Sequence, residues 1–238
     1  MENHYTDRFR CNRQQLQQLR KHLRSKISGR ACIVLGSAPN PTIPKVEDAL
    51  TICVNGSVNS AQEYMSTTAD MTFLNGAIFN DEDTYSNTTL RVLKGKSLGD
   101  LLIARNGLER GVAILRDMGT RYDHCFPISK YDKRVIIGES FGRKLLGRYP
   151  FDANISNGFF MSVVALWAEA SAVILAGFSF NNSHDYSQQA ELSKRGHLQE
   201  DQLYLKHLAQ SQLPVYTTEQ TILDSFELKP WKDQVSPK

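Results

Sequence analysis

Three short apolar runs in the first third of the chain stop on the same kind of chemistry. Ala31-Cys32-Ile33-Val34-Leu35 ends at Gly36-Ser37-Ala38-Pro39-Asn40-Pro41, Thr51-Ile52-Cys53-Val54 ends at Asn55-Gly56-Ser57, and Met71-Thr72-Phe73-Leu74 ends at Asn75-Gly76. They recur about 20 residues apart, with helical segments such as Ser57–Tyr64 between them. An uninterrupted apolar strand needs cover on both faces, and strand–helix alternation supplies it. The pattern therefore predicts an α/β fold built on a single Rossmann-like parallel sheet. Ligands of such sheets bind beyond the carboxyl ends of the strands, which makes Gly36, Ser37, Ala38, Asn55 and Asn75 candidates for contact. The first turn is not GxGxxG, because Ala38 and Pro39 occupy its centre, so a dinucleotide fingerprint is absent. Asn-Gly is also common turn chemistry; its repetition at successive strand ends is what points to a ligand.

A second signal runs from Ile155 to Tyr186. Ser156 and Asn157 are N-cap candidates, and Gly158 permits close backbone approach. The helix expected over Phe159–Ala170 is apolar on most faces and hence buried. Ala172–Ala176 reads as a central strand ended by Gly177 and Phe178, followed by the polar stretch Asn181, Asn182, Ser183, His184, Asp185, Tyr186. A helix N-terminus at the carboxyl edge of a sheet favours an anion, because its free amides and dipole point at it. Arg195-Gly196-His197 then opens a helix over Leu198–Leu208, and Pro214-Val215-Tyr216 reads as a last strand. The middle of the chain is less periodic. Residues 98–118 read as helical with a glycine interruption, and Val135-Ile136-Ile137 as a further short strand. Asp81 and Asp83 have the spacing of a divalent-metal pair, but such pairs also occur by chance in acidic loops.

The net charge of +3 is mild, yet its distribution is uneven. Arg8, Arg10, Arg13, Arg20, Lys21, Arg24, Lys26 and Arg30 fall within one stretch that contains no acid. Leu16, Leu19, Leu23 and Ile27 recur there at the spacing of one helix face. The helix either docks its apolar stripe on the domain, with a solvated basic face, or rests on anionic lipid. Nucleic acid is disfavoured, since no aromatic residues interleave with the basic ones. No run of 18 apolar residues encodes a membrane span, and the first residues lack the apolar core of a secretory signal. Four scattered cysteines, with Cys32 and Cys53 inside apolar runs, fit a cytoplasmic protein, with room for peripheral contact at the inner face of a membrane. The expected organisation is a basic amphipathic helix over 1–30, a catalytic domain over 31–225 and a tail over 226–238. The domain is expected to fold without residues 1–28.

Taken in order, these features resemble the bacterial sialyltransferases of glycosyltransferase family 42, over about residues 31–220. That family opens with a strand and a Gly-Asn-Gly-Pro-Ser loop, matched here by Gly36-Ser37-Ala38-Pro39-Asn40. Asn55 and Asn75 match its strand-end asparagines, and Ser156-Asn157-Gly158 its helix start at the cytidine phosphate. Gly177 through Tyr186 match its polar, tyrosine-bearing loop, and Gly196-His197 its general base. Ser37, Ala38, Asn154 and Asn181 stand where the family has Asn, Gly, Arg and Tyr.

The resemblance implies a GT-A-like variant of the Rossmann-like sheet with a short lid loop over Ser187–Arg195. It implies a metal-independent, inverting transfer of sialic acid or a related keto-sugar from its CMP form to a glycan acceptor such as lipooligosaccharide or capsule. No cofactor beyond the CMP-sugar donor is implied, and a homo-oligomer is compatible with it. His197 and Tyr186 would be catalytic, with His184 as the reserve base. Gly36, Ser37, Ala38, Asn55, Asn75, Ser156, Asn157, Gly158, Gly177, Phe178 and Asn181 would hold the donor. Two other readings stay open on the residues: a CMP-Kdo or metal-dependent nucleotide-diphosphate-sugar transferase using Asp81 and Asp83, and a catalytically silent nucleotide- or glycan-binding module.

Overall fold

The structure, a computed structural model, describes residues 13–80, 83–141, 155–180 and 197–232. In chain order the elements are α1 (Arg13–Ile27), β1 (Ala31–Leu35), β2 (Leu50–Val54), α2 (Ser57–Met65), β3 (Met71–Leu74) and a 3₁₀ turn (Gly76–Phe79). There follow α3 (Thr84–Leu93), β4 (Asp100–Ala104), a second 3₁₀ turn (Arg105–Gly107), α4 (Leu108–Asp117), β5 (Cys125–Ile128) and α5 (Lys130–Phe141). The chain closes with α6 (Asn157–Trp167), β6 (Ala172–Ala176), α7 (Leu198–Gln210), β7 (Val215–Thr217), α8 (Gln220–Phe226) and β8 (Lys229–Pro230).

The strands form one sheet in the order β5-β4-β3-β2-β1-β6-β7-β8, and every neighbouring pair is parallel. The expected single parallel α/β sheet is what the chain forms. The strands run outward from β1 to β5, and the chain then returns to the free edge of β1 and runs outward the other way. The order therefore reverses between β1 and β6, and a crevice opens above a sheet where neighbouring connections leave on opposite faces. Alternation within a strand splits the core into two layers. Cys32 and Val34 of β1 face a layer that includes α1, α6 and α7, while Ile33 and Leu35 face one that includes α2 and α4. Cys32 and Cys53 are fully buried, and burial pushes both thiols up to about 12.

Two segments of the middle differ from expectation. Residues 98–118 begin with strand β4 and only then turn helical, because Leu101-Leu102-Ile103 is a continuous apolar run that periodicity cannot tell from a buried helix. Val135-Ile136-Ile137 is not a strand but lies inside α5; the strand of this region is Cys125–Ile128. A Ser129/Asp132 capping pair starts α5: the Ser129 amide and hydroxyl donate to Asp132 at 2.8 and 2.7 Å.

The front helix is part of the main core. Leu16, Leu19, Leu23 and Ile27 are at most 6% exposed, in the same apolar layer as the sheet and α6. Several of its cations pair with acids of other elements: Arg20 reaches Glu139 at 3.5 Å, Arg24 reaches Glu169 at 2.7 Å, and Lys26 reaches the buried Asp100 at 2.7 Å. At the other terminus, β8 extends the sheet and Trp231 packs edge-on against Tyr216. Among the described residues no helix is long and apolar enough to cross a membrane.

Candidate functional site

The carboxyl ends of β1 and β6 meet at two glycines. The Gly36 amide donates to Ala176 O at 2.8 Å, and the Ala38 amide donates to Gly177 O at 2.9 Å, so the two strand-end loops are stitched together. A Cβ on Gly36 would fall 2.1 Å from the Gly177 carbonyl oxygen, and Gly177 itself has φ +68°. Neither position accommodates a side chain without moving the backbone. Phe178 then fills the corner: its ring stacks on Phe159 at 4.9 Å, and a Cβ on Gly158 would lie 2.6 Å from it. Gly36, Ala38, Gly158, Gly177 and Phe178 are thus brought together, with Ser37 half-buried at the tip of the first loop. Glu219 holds this corner from behind by accepting the Gly177 amide at 2.5 Å and the Thr42 amide. Burial raises its pKa, and those two amides pull it back.

Asn55 and Asn75 end adjacent strands on the same edge. Asn55 adopts φ +50°, which asparagine tolerates, and both ends of its side chain are engaged. Its Oδ1 accepts the Asn75 amide at 2.9 Å and its Nδ2 donates to the Tyr85 hydroxyl at 3.0 Å. Asn75 Oδ1 accepts the Ala77 amide at 3.2 Å and caps the first 3₁₀ turn. These contacts shape the edge of the crevice.

Ser156 occupies the N-cap position of α6, but its hydroxyl makes no capping bond. Its amide instead donates to Asp201 Oδ1 at 2.7 Å. Asp201 lies one turn into α7, whose N-cap is the exposed His197. That single bond sets the N-termini of α6 and α7 side by side, and with them Ser156, Asn157, Gly158 and His197. The first amides of each helix have no intrahelical acceptor and carry the positive end of the dipole.

Lys133, which sequence reasoning passed over, stands in the first turn of α5 and donates to Asn157 Oδ1 at 2.6 Å. Part of the residue remains exposed, yet its ammonium lies 4.6 Å from the ring centre of Phe73 and 4.9 Å from that of Phe160. Desolvation, with the like charge of Lys130, brings its pKa down to about 8. No local pattern could have singled it out, because Phe73 and Asn157 come from distant parts of the chain. Arg105, the first residue of the 3₁₀ turn after β4, is a second cation on this edge, 3.9 Å from Asp132.

The Asp83 carboxylate accepts the Ser86 amide at 2.6 Å as the N-cap of α3. Asp81, Asn154, Asn181, His184, Tyr186, the loop Ser187–Arg195 and Gly196 lie outside the described residues.

No protein-family model matches the chain, and no curated protein matches it in sequence. Solved structures match it in fold. The monofunctional alpha-2,3-sialyltransferase Cst-I from Campylobacter jejuni superposes with a TM-score of 0.56 at 13% identity, over 84% of this chain and 80% of that one. The sialyltransferase CstII from Campylobacter jejuni, in complex with the substrate analogue CMP-3FNeuAc, gives 0.56 at 16% identity over 88% and 89%. CST-II in complex with a trisaccharide acceptor and CMP gives 0.55 at 15% identity over the same shares. The chain therefore shares the fold of these sialyltransferases across most of its length.

Proposed function

We propose that this protein is a glycosyltransferase that binds a CMP-activated sugar in the β1/β6 crevice and transfers it, with inversion and without a metal, to a glycan hydroxyl. The observation that carries the reading is the meeting of the α6 N-terminus with Lys133. A helix start and an ammonium group converging on one edge favour a phosphate, and a nucleoside monophosphate leaving group carries one. The strand-end glycines allow the backbone to approach a flat or narrow ligand closely. The fold relatives crystallised with CMP, a CMP-sugar analogue and an acceptor point to the same donor class.

His197 is the base in this reading. It takes the proton of the acceptor hydroxyl as that oxygen bonds to the anomeric carbon. The bond from that carbon to the phosphate oxygen breaks, and its electron pair leaves with CMP. The amides of Asn157 and Gly158, Lys133 and the hydroxyl of Tyr186 stabilise the departing charge.

The test is a thermal-shift titration with CMP, UDP, GDP and NAD in chelator, followed by transfer from CMP-sialic acid to a sialyl-acceptor glycan. CMP alone should raise the melting temperature. His197→Ala should reduce turnover by about 10²–10⁴-fold with CMP affinity nearly unchanged. A response to UDP that requires manganese, with none to CMP, would overturn the donor class. Full CMP binding with no transfer by the unaltered protein would leave a nucleotide-binding module and remove the enzymatic reading.

A further inference from the structure

The amino edge of the sheet, opposite the crevice, carries a second cluster of chemistry. Asp100 is the first residue of β4 and is completely buried. A carboxylate there needs a counter-charge, and Lys26 of α1 supplies it at 2.7 Å from Oδ2. Two imidazoles crowd the same group. His22 Nε2, one helical turn before Lys26, lies 2.7 Å from Oδ2, and His124 Nδ1, just before β5, lies 2.8 Å from Oδ1. One lysine already neutralises the carboxylate, so burial alone does not call for both rings.

The three ligand atoms lie within 4.8 Å of one another, and the two rings meet edge-on with centroids 4.6 Å apart. Phe126 closes one side, 5.0 Å from the His22 ring. The His124 side chain is 57% exposed, so a fourth position can be filled from solvent. Tetrahedral zinc holds its nitrogen and oxygen ligands roughly 3.3 Å apart, so both short contacts have to open by about half an ångström and Lys26 has to leave Oδ2. His124 has room to turn, and Lys26, partly exposed, has a flexible stem with which to withdraw.

We propose that His22, Asp100 and His124 form a binding site for a divalent transition metal ion of the zinc class, with Lys26 as the internal cation that holds the carboxylate when the metal is away. Two imidazoles and one carboxylate are the ligand set such ions take, and magnesium and calcium prefer all-oxygen sites. The bound ion ties α1 to β4 and β5, well away from the crevice, so the site is structural and independent of the transfer reaction.

Chelator-stripped full-length protein is titrated with zinc against a chromophoric chelator, with the melting temperature read in parallel. One equivalent should bind, and the melting temperature should rise by about 5 °C at a roughly hundredfold excess over Kd. Zinc affinity should fall at least about tenfold in His124→Ala and in His22→Gln, and rise about tenfold in Lys26→Met, which loses the competing cation. Magnesium should give no shift. Because His124 is mostly exposed, its alanine variant keeps the fold, and circular dichroism checks this. The proposal is overturned by no saturable binding up to ~1 mM zinc. Unchanged affinity in both histidine variants, which puts zinc elsewhere, or no gain in Lys26→Met overturns it equally.

Discussion

Lys133 holds its charge between Phe73 and Phe160 with one strong acceptor, the Asn157 amide oxygen, and its pKa falls to about 8. Two opposite pH slopes follow. In the absence of ligand the folded state gives up this proton near pH 8, while the unfolded chain keeps it to about pH 10.5. The unfolded state binds more protons across that window, so folding stability should rise with pH between those limits. Nucleotide affinity should run the other way, since a phosphate prefers the protonated lysine, and should decline above about pH 8 by up to tenfold per pH unit. Lys133→Met should flatten both profiles and weaken CMP binding, as chemical denaturation and titration calorimetry across pH 7–10.5 would record. If CMP affinity in Lys133→Met still declines above pH 8, another group carries the charge. At this scale the sequence was legible where backbone decides and opaque where side chains converge. Gly36 and Gly177 announce themselves by ending apolar runs. Lys133 and Glu219 become meaningful only once distant segments surround them, and the bonds that hold Asn55 against Asn75 and Tyr85 have no local signal.

Among the elements, α1 follows the docking reading, with its leucine stripe buried on the domain. Its leucine stripe and basic face were readable, but nothing local tells whether such a stripe lies on a domain, on lipid or inside a core. The answer depends on α6 and the sheet, which leave Leu23 and Ile27 with no exposed surface. Removal of residues 1–28 should therefore abolish cooperative unfolding, contrary to expectation from the sequence. Leu23→Ala alone should cost about 2–5 kcal/mol, read from urea denaturation midpoints. A truncated chain that still melts cooperatively would return α1 to the role of an appendage. Its ion pairs with Glu139 and Glu169 are about half exposed and contribute little beside the leucines. The misreading of residues 98–118 has the same origin. β4 is covered on both faces, so it shows neither the alternation of a half-buried strand nor a helical period.

For the molecule as a whole, the strand order places the crevice where the two halves of the chain meet. Among the described residues, strands β1 to β5 all lie before residue 129 and strands β6 to β8 all after residue 171. The alternation of strands and helices in the first 80 residues made the architecture readable, but not the return of the chain to β1. β8 was missed because two residues carry no pattern of their own. A fragment of residues 1–141 should fail as a soluble domain, since it leaves one edge of β1 bare and removes the α6 side chains that cover the sheet. Size-exclusion chromatography should find it aggregated, and a monomeric, cooperatively melting fragment would contradict this. The pairing of Ala31 with Ala172 also sets a clock. At ordinary translation speeds of about 5–20 residues per second, β1 emerges on the order of ten seconds before its second neighbour is made. For that interval the strand that will floor the crevice is an open template for any extended segment nearby. The yield of folded protein should depend on what shields β1 during synthesis more than on the final stability of the sheet.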